Sequence, residues 1–157
     1  MEPKIGIKGE NLNKVAHILI GFLADEFVLY TKTRKAHWNV EGPDFHEKHK
    51  FFEEQYERLD EIMDDVAERI RALGHYAPAT LASYLELTHL SEQSRSTNDG
   101  RGYSSDLLAD HESIIIRLRE NINIIANELN DFGTSDFITG LMEVHEKMAW
   151  MLRAQLK

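Results

Sequence analysis

The sequence predicts an all-α protein, a four-helix bundle with a short helix in the long crossover between its second and third long helices. Three observations carry that expectation. Apolar residues recur at three- and four-residue steps through four separate segments, which is the helical period. The three prolines, Pro3, Pro43 and Pro78, all fall outside those segments. Finally, the breaks between segments are short except for one, which runs from His75 to Gly102. With 157 residues the chain has the size of one ordinary domain, read as residues 1–157 with 1–10 a short N-terminal extension.

The first helix is expected from about Asn11 to His37, with Val15, Leu19, Phe22, Leu23, Phe27 and Tyr30 on its apolar face. Gly42-Pro43 stops it. Asp44 has the pattern of an N-cap, with Glu47 completing a capping box. The second helix then runs to Leu73, where Gly74 ends it. It should bury Phe45, Phe52, Tyr56, Leu59, Met63, Val66, Ile70 and Leu73. Thr80 to Leu87 is periodic enough for a short helix, and SEQSRSTNDGRG after it reads as loop. The third long helix is expected from about Ser104 to Leu129. Gly133 to Asp136 forms a break and cap before the last helix, which carries Phe137, Leu141, Val144, Met148, Met151 and Leu152.

Composition narrows the function. There is no cysteine, so neither a disulfide framework nor a thiolate metal site is available, which fits a cytoplasmic protein. The N-terminus lacks a signal pattern, and no apolar run approaches the length that crosses a bilayer. The formal net charge of −9 discourages polyanion binding and suits a protein that gathers cations.

The second helix carries a metal-ligand pattern. His37, His49, Glu53, Asp64 and Glu68 are donors of the kind that iron(II), manganese and zinc accept. His49 and Glu53 lie one helical turn apart, and so do Asp64 and Glu68. The midpoints of the two pairs are about 15 residues apart, or roughly 22 Å at the α-helical rise, so one ion cannot touch both pairs of one chain. Two copies of the helix packed antiparallel about a two-fold axis near Arg58 and Leu59 would bring them together. The His49–Glu68 stripe lies roughly 120° around the helix from the core stripe, facing out of the subunit as a shared site requires. An acidic helix face is more often a solvated surface than a ligand set, and spacing alone does not decide between them.

The flanking residues add a resemblance. KTRKAHWNVEGPDF (residues 32–45), His49 and DDVAERIRALG (residues 64–74) resemble the mini-ferritins, the DNA-binding proteins from starved cells (Dps). The resemblance extends through the crossover helix to EKMAWMLRAQL near the C-terminus. It implies a ferritin-like fold and a hollow homo-dodecamer that oxidises iron(II), usually preferring hydrogen peroxide to oxygen, and stores ferric mineral inside. It makes the protein a ferroxidase-type oxidoreductase that protects against oxidative damage. It places His37, His49 and Glu53 of one subunit opposite Asp64 and Glu68 of its partner, with iron as the metal and zinc or manganese able to enter the same site. Trp38 resembles the tryptophan that absorbs oxidising equivalents beside the iron. Asp131 and Asp136 resemble acids that line the cation pores. One residue departs from the family pattern: Glu53 stands where aspartate is usual, and the extra methylene shifts the ligand geometry. The one Glu-x-x-His run, Glu86 to His89, lies in the crossover and has no counterpart on a long helix, which argues against a di-iron centre inside one bundle. His17, His46, His75, His89, His111 and His145 receive no role.

DNA compaction with little ferroxidase activity is the alternative function. Lys4 and Lys8 are balanced by Glu2 and Glu10, and no lysine-rich tail is present to release counterions from phosphates. DNA binding is therefore expected to be weak, and any nucleoid association with it.

Overall fold

The computed structural model describes residues 3–93 and 95–157. Met1, Glu2 and Ser94, which belong to the expected extension and loop, lie outside the described residues. Among the described residues five α-helices follow in order: α1 (Gly9–Asn39), α2 (Phe45–Ala72), α3 (Leu81–Leu87), α4 (Gly100–Asn123) and α5 (Phe132–Ala154). α1 and α2 form one antiparallel hairpin, and α4 and α5 form the other. The two hairpins pack α1 against α4 and α2 against α5, with α3 lying on α1. This is the expected four-helix bundle with its crossover helix.

The core is where helical periodicity puts it. Leu19, Phe22 and Leu29 of α1, Phe52, Leu59 and Ile70 of α2, Ile114 and Leu118 of α4, and Leu152 of α5 are fully buried. Burying each of these side chains contributes about 1.5–3 kcal/mol. Phe45 does not join them. It is 45% exposed, because it is the first residue of α2 and overhangs the end of the hairpin. Gln55 and Ile62 take buried places the expected stripe omitted.

The helix ends also differ from expectation, each for a local reason. Asp44 holds the N-cap position of α2, but its side chain makes no capping hydrogen bond, so the Asp44–Glu47 capping box does not form. α4 starts at Gly100 rather than near Ser104, because the Asp99 carboxylate accepts a bond from Gly102 N at 2.7 Å. Gly100 and Gly102 are buried in that first turn. A Cβ on Gly100 would lie 3.0 Å from the Lys48 side chain. These glycines mark close packing rather than loop. α5 starts at Phe132, before the expected cap, because Asp131 caps it through Thr134 N at 2.9 Å. At the other end of the crossover, Gly74 has φ +86°, the left-handed conformation that commonly ends a helix.

One buried polar group ties the crossover to the bundle, and another ties the α4–α5 corner. Asp25, in the middle of α1, accepts bonds from Thr88 Oγ1 at 2.8 Å and His89 N at 2.6 Å, and it pairs with Arg117 of α4. After α4 the chain makes one π-helical turn, Ile124–Glu128, and Asn130 turns it at φ +57° into α5. Asn11 of α1 donates to Leu129 O at 3.0 Å and fixes that corner. Among the described residues no helix is long and apolar enough to cross a membrane.

Candidate metal centre

The antiparallel α1–α2 hairpin brings the end of α1 against the start of α2 and so pairs two residues of the predicted set. The rings of His37 and His49 stack 3.8 Å apart, 21° from parallel. Each ring is held by the other residue's backbone. His37 Nδ1 lies 2.8 Å from His49 O, and His49 Nδ1 lies 2.8 Å from His37 O. A carbonyl oxygen only accepts, so both Nδ1 atoms carry hydrogen. In the neutral rings each Nε2 is then left with its lone pair, the form an imidazole needs to bind a cation. The reciprocal arrangement fixes tautomer and orientation together, as backbone carbonyls do behind metal-bound histidines.

Glu53 stands one turn further along α2 and is half-buried. Tyr56 Oη donates to Glu53 Oε1 at 3.4 Å, a long bond that leaves the carboxylate mostly uncommitted. The Tyr56 ring meets the His37 ring edge-on at 5.2 Å. Burial and the neighbouring Glu53 carboxylate both hold the Tyr56 hydroxyl above its usual pKa, so it stays protonated and keeps donating.

Asp64 and Glu68 are not brought to this place. They are exposed on the same helix, toward its other end. Asp64 borders a shallow recess with Phe27, Asp60, Met63 and Tyr84. Among the described residues of one chain, no three His, Asp or Glu side chains are grouped to hold a metal ion by themselves.

Trp38 follows His37 and is 64% exposed. Arg34, which spacing did not single out, lies over it at 5.0 Å and over Tyr30 and Tyr56 at 5.7 and 4.3 Å. The spacing of Tyr30, Arg34 and Trp38, one turn apart, was the available signal.

The two expected pore acids fare differently. Asp131 is 2% exposed, and its carboxylate is engaged by Thr134 N, by Thr134 Oγ1 at 2.5 Å and by Arg69 at 3.3 Å. Asp136 is exposed.

Comparison with known proteins gives the family. Residues 19–157 match the ferritin-like domain family. The chain belongs to that family, within its Dps group. It is 37% identical to the DNA protection during starvation protein 2 of Bacillus anthracis, over 92% of this chain and 99% of that one. It is 42% identical to an uncharacterized low temperature-induced protein of Nostoc sp., over 96% of this chain and 84% of that protein. The crystal structure of Dps from Vibrio cholerae O1, described as a member of a broad superfamily of ferritin-like diiron-carboxylate proteins, superposes with a TM-score of 0.92 at 33% identity, covering 99% of this chain and 97% of that one. Membership supports iron storage and protection in the broad sense.

Proposed function

We propose that this Dps-family chain is an iron-detoxifying mini-ferritin that oxidises iron(II), with hydrogen peroxide preferred over oxygen, and stores the ferric product inside a dodecameric shell in the cytoplasm. The observation that carries this reading is the His37–His49 pair, whose Nδ1 atoms are both committed to backbone carbonyls and whose Nε2 atoms are left to bind a cation.

Iron(II) is the substrate. His37, His49 and Glu53 of one subunit, with Asp64 and Glu68 of its partner, supply imidazole nitrogen and carboxylate oxygen, a donor set suited to iron. The carboxylates favour iron(III) over iron(II), because the added positive charge is better compensated by anionic ligands. Peroxide takes two electrons from two iron(II) ions and leaves as water, so no hydroxyl radical escapes. Hydrolysis of the oxidised iron gives ferric oxyhydroxide and protons. Trp38, stacked under Arg34, is placed to give up an electron when a single iron(II) reacts alone. Zinc and manganese suit the same donors and would compete with iron. Asp136 is the stronger pore candidate, since the Asp131 carboxylate already serves the α5 cap and Arg69.

The test replaces Asp64 and Glu68 together by Asn and Gln, which keeps size and exposure. Iron(II) loaded anaerobically and treated with peroxide should be oxidised at the rate of a protein-free control. Wild-type rates in that variant would remove both residues from the site.

A further inference from the structure

Three titratable side chains at the centre of the bundle take no part in the iron chemistry. Glu26 of α1, His111 of α4 and His145 of α5 are 0%, 1% and 0% exposed. His145 joins the other two, with Nε2 2.9 Å from Glu26 Oε1 and Nδ1 2.9 Å from His111 Nδ1. Neither Glu26 oxygen has a well-aligned hydrogen-bond donor. A buried carboxylate left that way is costly unless a neighbouring positive charge or a proton compensates it.

The other charged groups buried on these helices are committed elsewhere. Asp25 of α1 is held by Thr88, His89 N and Arg117. On α2 the buried lysine, Lys48, donates to Ser104 and Gln155, and Gln55 is neutral. Asp110, beside His111, is paired with Lys32 at 2.5 Å.

The contact between the two rings limits their protons. Two facing ring nitrogens at 2.9 Å hold one hydrogen between them: one donates and the other accepts. While that contact stands, the two rings carry three ring protons at most. Two imidazolium rings carry four. Between pH of about 4.3 and about 6.5, the ordinary pKa values of Glu and His, the unfolded chain has both rings charged. The folded chain is therefore at least one ring proton short in that window.

We propose that Glu26, His145 and His111 form a proton-limited latch that clamps α1, α5 and α4 together near neutral pH and loosens in mild acid. One charge on the ring pair is compensated by Glu26; a second forces two N–H groups against each other and breaks the chain. Burial, and then the neighbouring His145, hold His111 well below the usual histidine pKa, in the same sense. A group whose folded pKa is depressed contributes stability that is complete above its unfolded value and is lost as pH falls toward the folded one. Here the loss begins below about pH 6.5.

Thermal and urea unfolding of the assembled wild type, compared with His111→Gln between pH 7.5 and 5, tests the latch. Glutamine can still donate to His145 Nδ1 but cannot acquire charge. The ratio of the wild-type to variant unfolding constants should rise with acidification, by up to tenfold per pH unit for one missing proton. Parallel profiles would overturn the proposal. Should His111→Gln fail to fold, the apolar replacement Glu26→Met/His111→Leu/His145→Leu gives the same comparison. Nitrogen-15 NMR of the histidine rings in the wild type provides a direct reading. One neutral ring in this pair at pH 5.5 supports the latch; two charged rings in the folded protein, or a metal ion bound between Glu26 and His145 after zinc or iron(II) loading, would contradict it.

Discussion

At the scale of single residues, the His37–His49 pair shows how a short helix-to-helix turn orients two imidazoles. Gly42-Pro43 reverses the chain, and the reversal puts each imidazole against the other residue's carbonyl. Glu53 has no such support beyond the long bond from Tyr56. Its removal should therefore cost less than removal of the partner carboxylates. We expect Glu53→Ala to slow initial iron(II) oxidation by about tenfold, the lower end of the losses seen when a group that supports a metal site is removed. A complete loss in stopped-flow measurements would make Glu53 as essential as Asp64 and Glu68. The candidate ligands stood out in the sequence because helical spacing on α2 and a dense motif that begins at the end of α1 coincide. His111 and His145 did not. Each is a lone histidine with no titratable partner one turn away on the same face, and only the packing of α1, α4 and α5 brings them together. Arg34 did carry a signal in Tyr30 and Trp38 one turn away, but its nearest ring contact, Tyr56, crosses from α1 to α2.

At the scale of elements, α2 has two jobs. One face buries Phe52, Leu59 and Ile70 in the core, and another carries the candidate ligands His49, Glu53, Asp64 and Glu68. In the shared site we propose, its length sets the separation of the two half-sites. The corner that starts α5 rests on Asp131, which caps the helix and pairs with Arg69 of α2. Asp131→Ala should destabilise the subunit by about 2 kcal/mol, from a lost cap and an Arg69 left without its carboxylate, read as a lower urea midpoint. An unchanged midpoint would show that the corner is held by Thr134 and Asn11 instead. The interiors of the long helices followed from periodicity alone. Their ends did not, because Asp99 and Asp131 were masked by adjoining glycines and turn residues that also read as loop. The π-helical turn at Ile124–Glu128 left no mark in the apolar pattern either.

At the scale of the whole molecule, the subunit exposes large apolar groups: Leu81 and Leu85 on α3, Phe132 and Trp150 on α5. Such groups on a bundle this size suit burial between copies. α3 buries no residue within its own subunit, although Tyr84 stacks on Phe27 at 4.3 Å. The shell we propose would multiply a subunit charge of −9, so its outer field opposes DNA. We expect no gel shift of duplex DNA at physiological salt; a robust shift there would favour the compaction reading.

The central claim is that each iron site is shared between two subunits, and complementation tests it most directly. One variant loses its histidines, His37→Ala/His49→Ala, and the other its carboxylates, Asp64→Ala/Glu68→Ala. Each alone should oxidise iron(II) no faster than the protein-free control. Subunits of both kinds, unfolded and reassembled together, form mixed pairs in which one of the two sites is intact. With random pairing, about a quarter of the wild-type activity should return. If the mixture stays as inactive as its parents while assembling to the same size, the site is not shared across the two-fold axis.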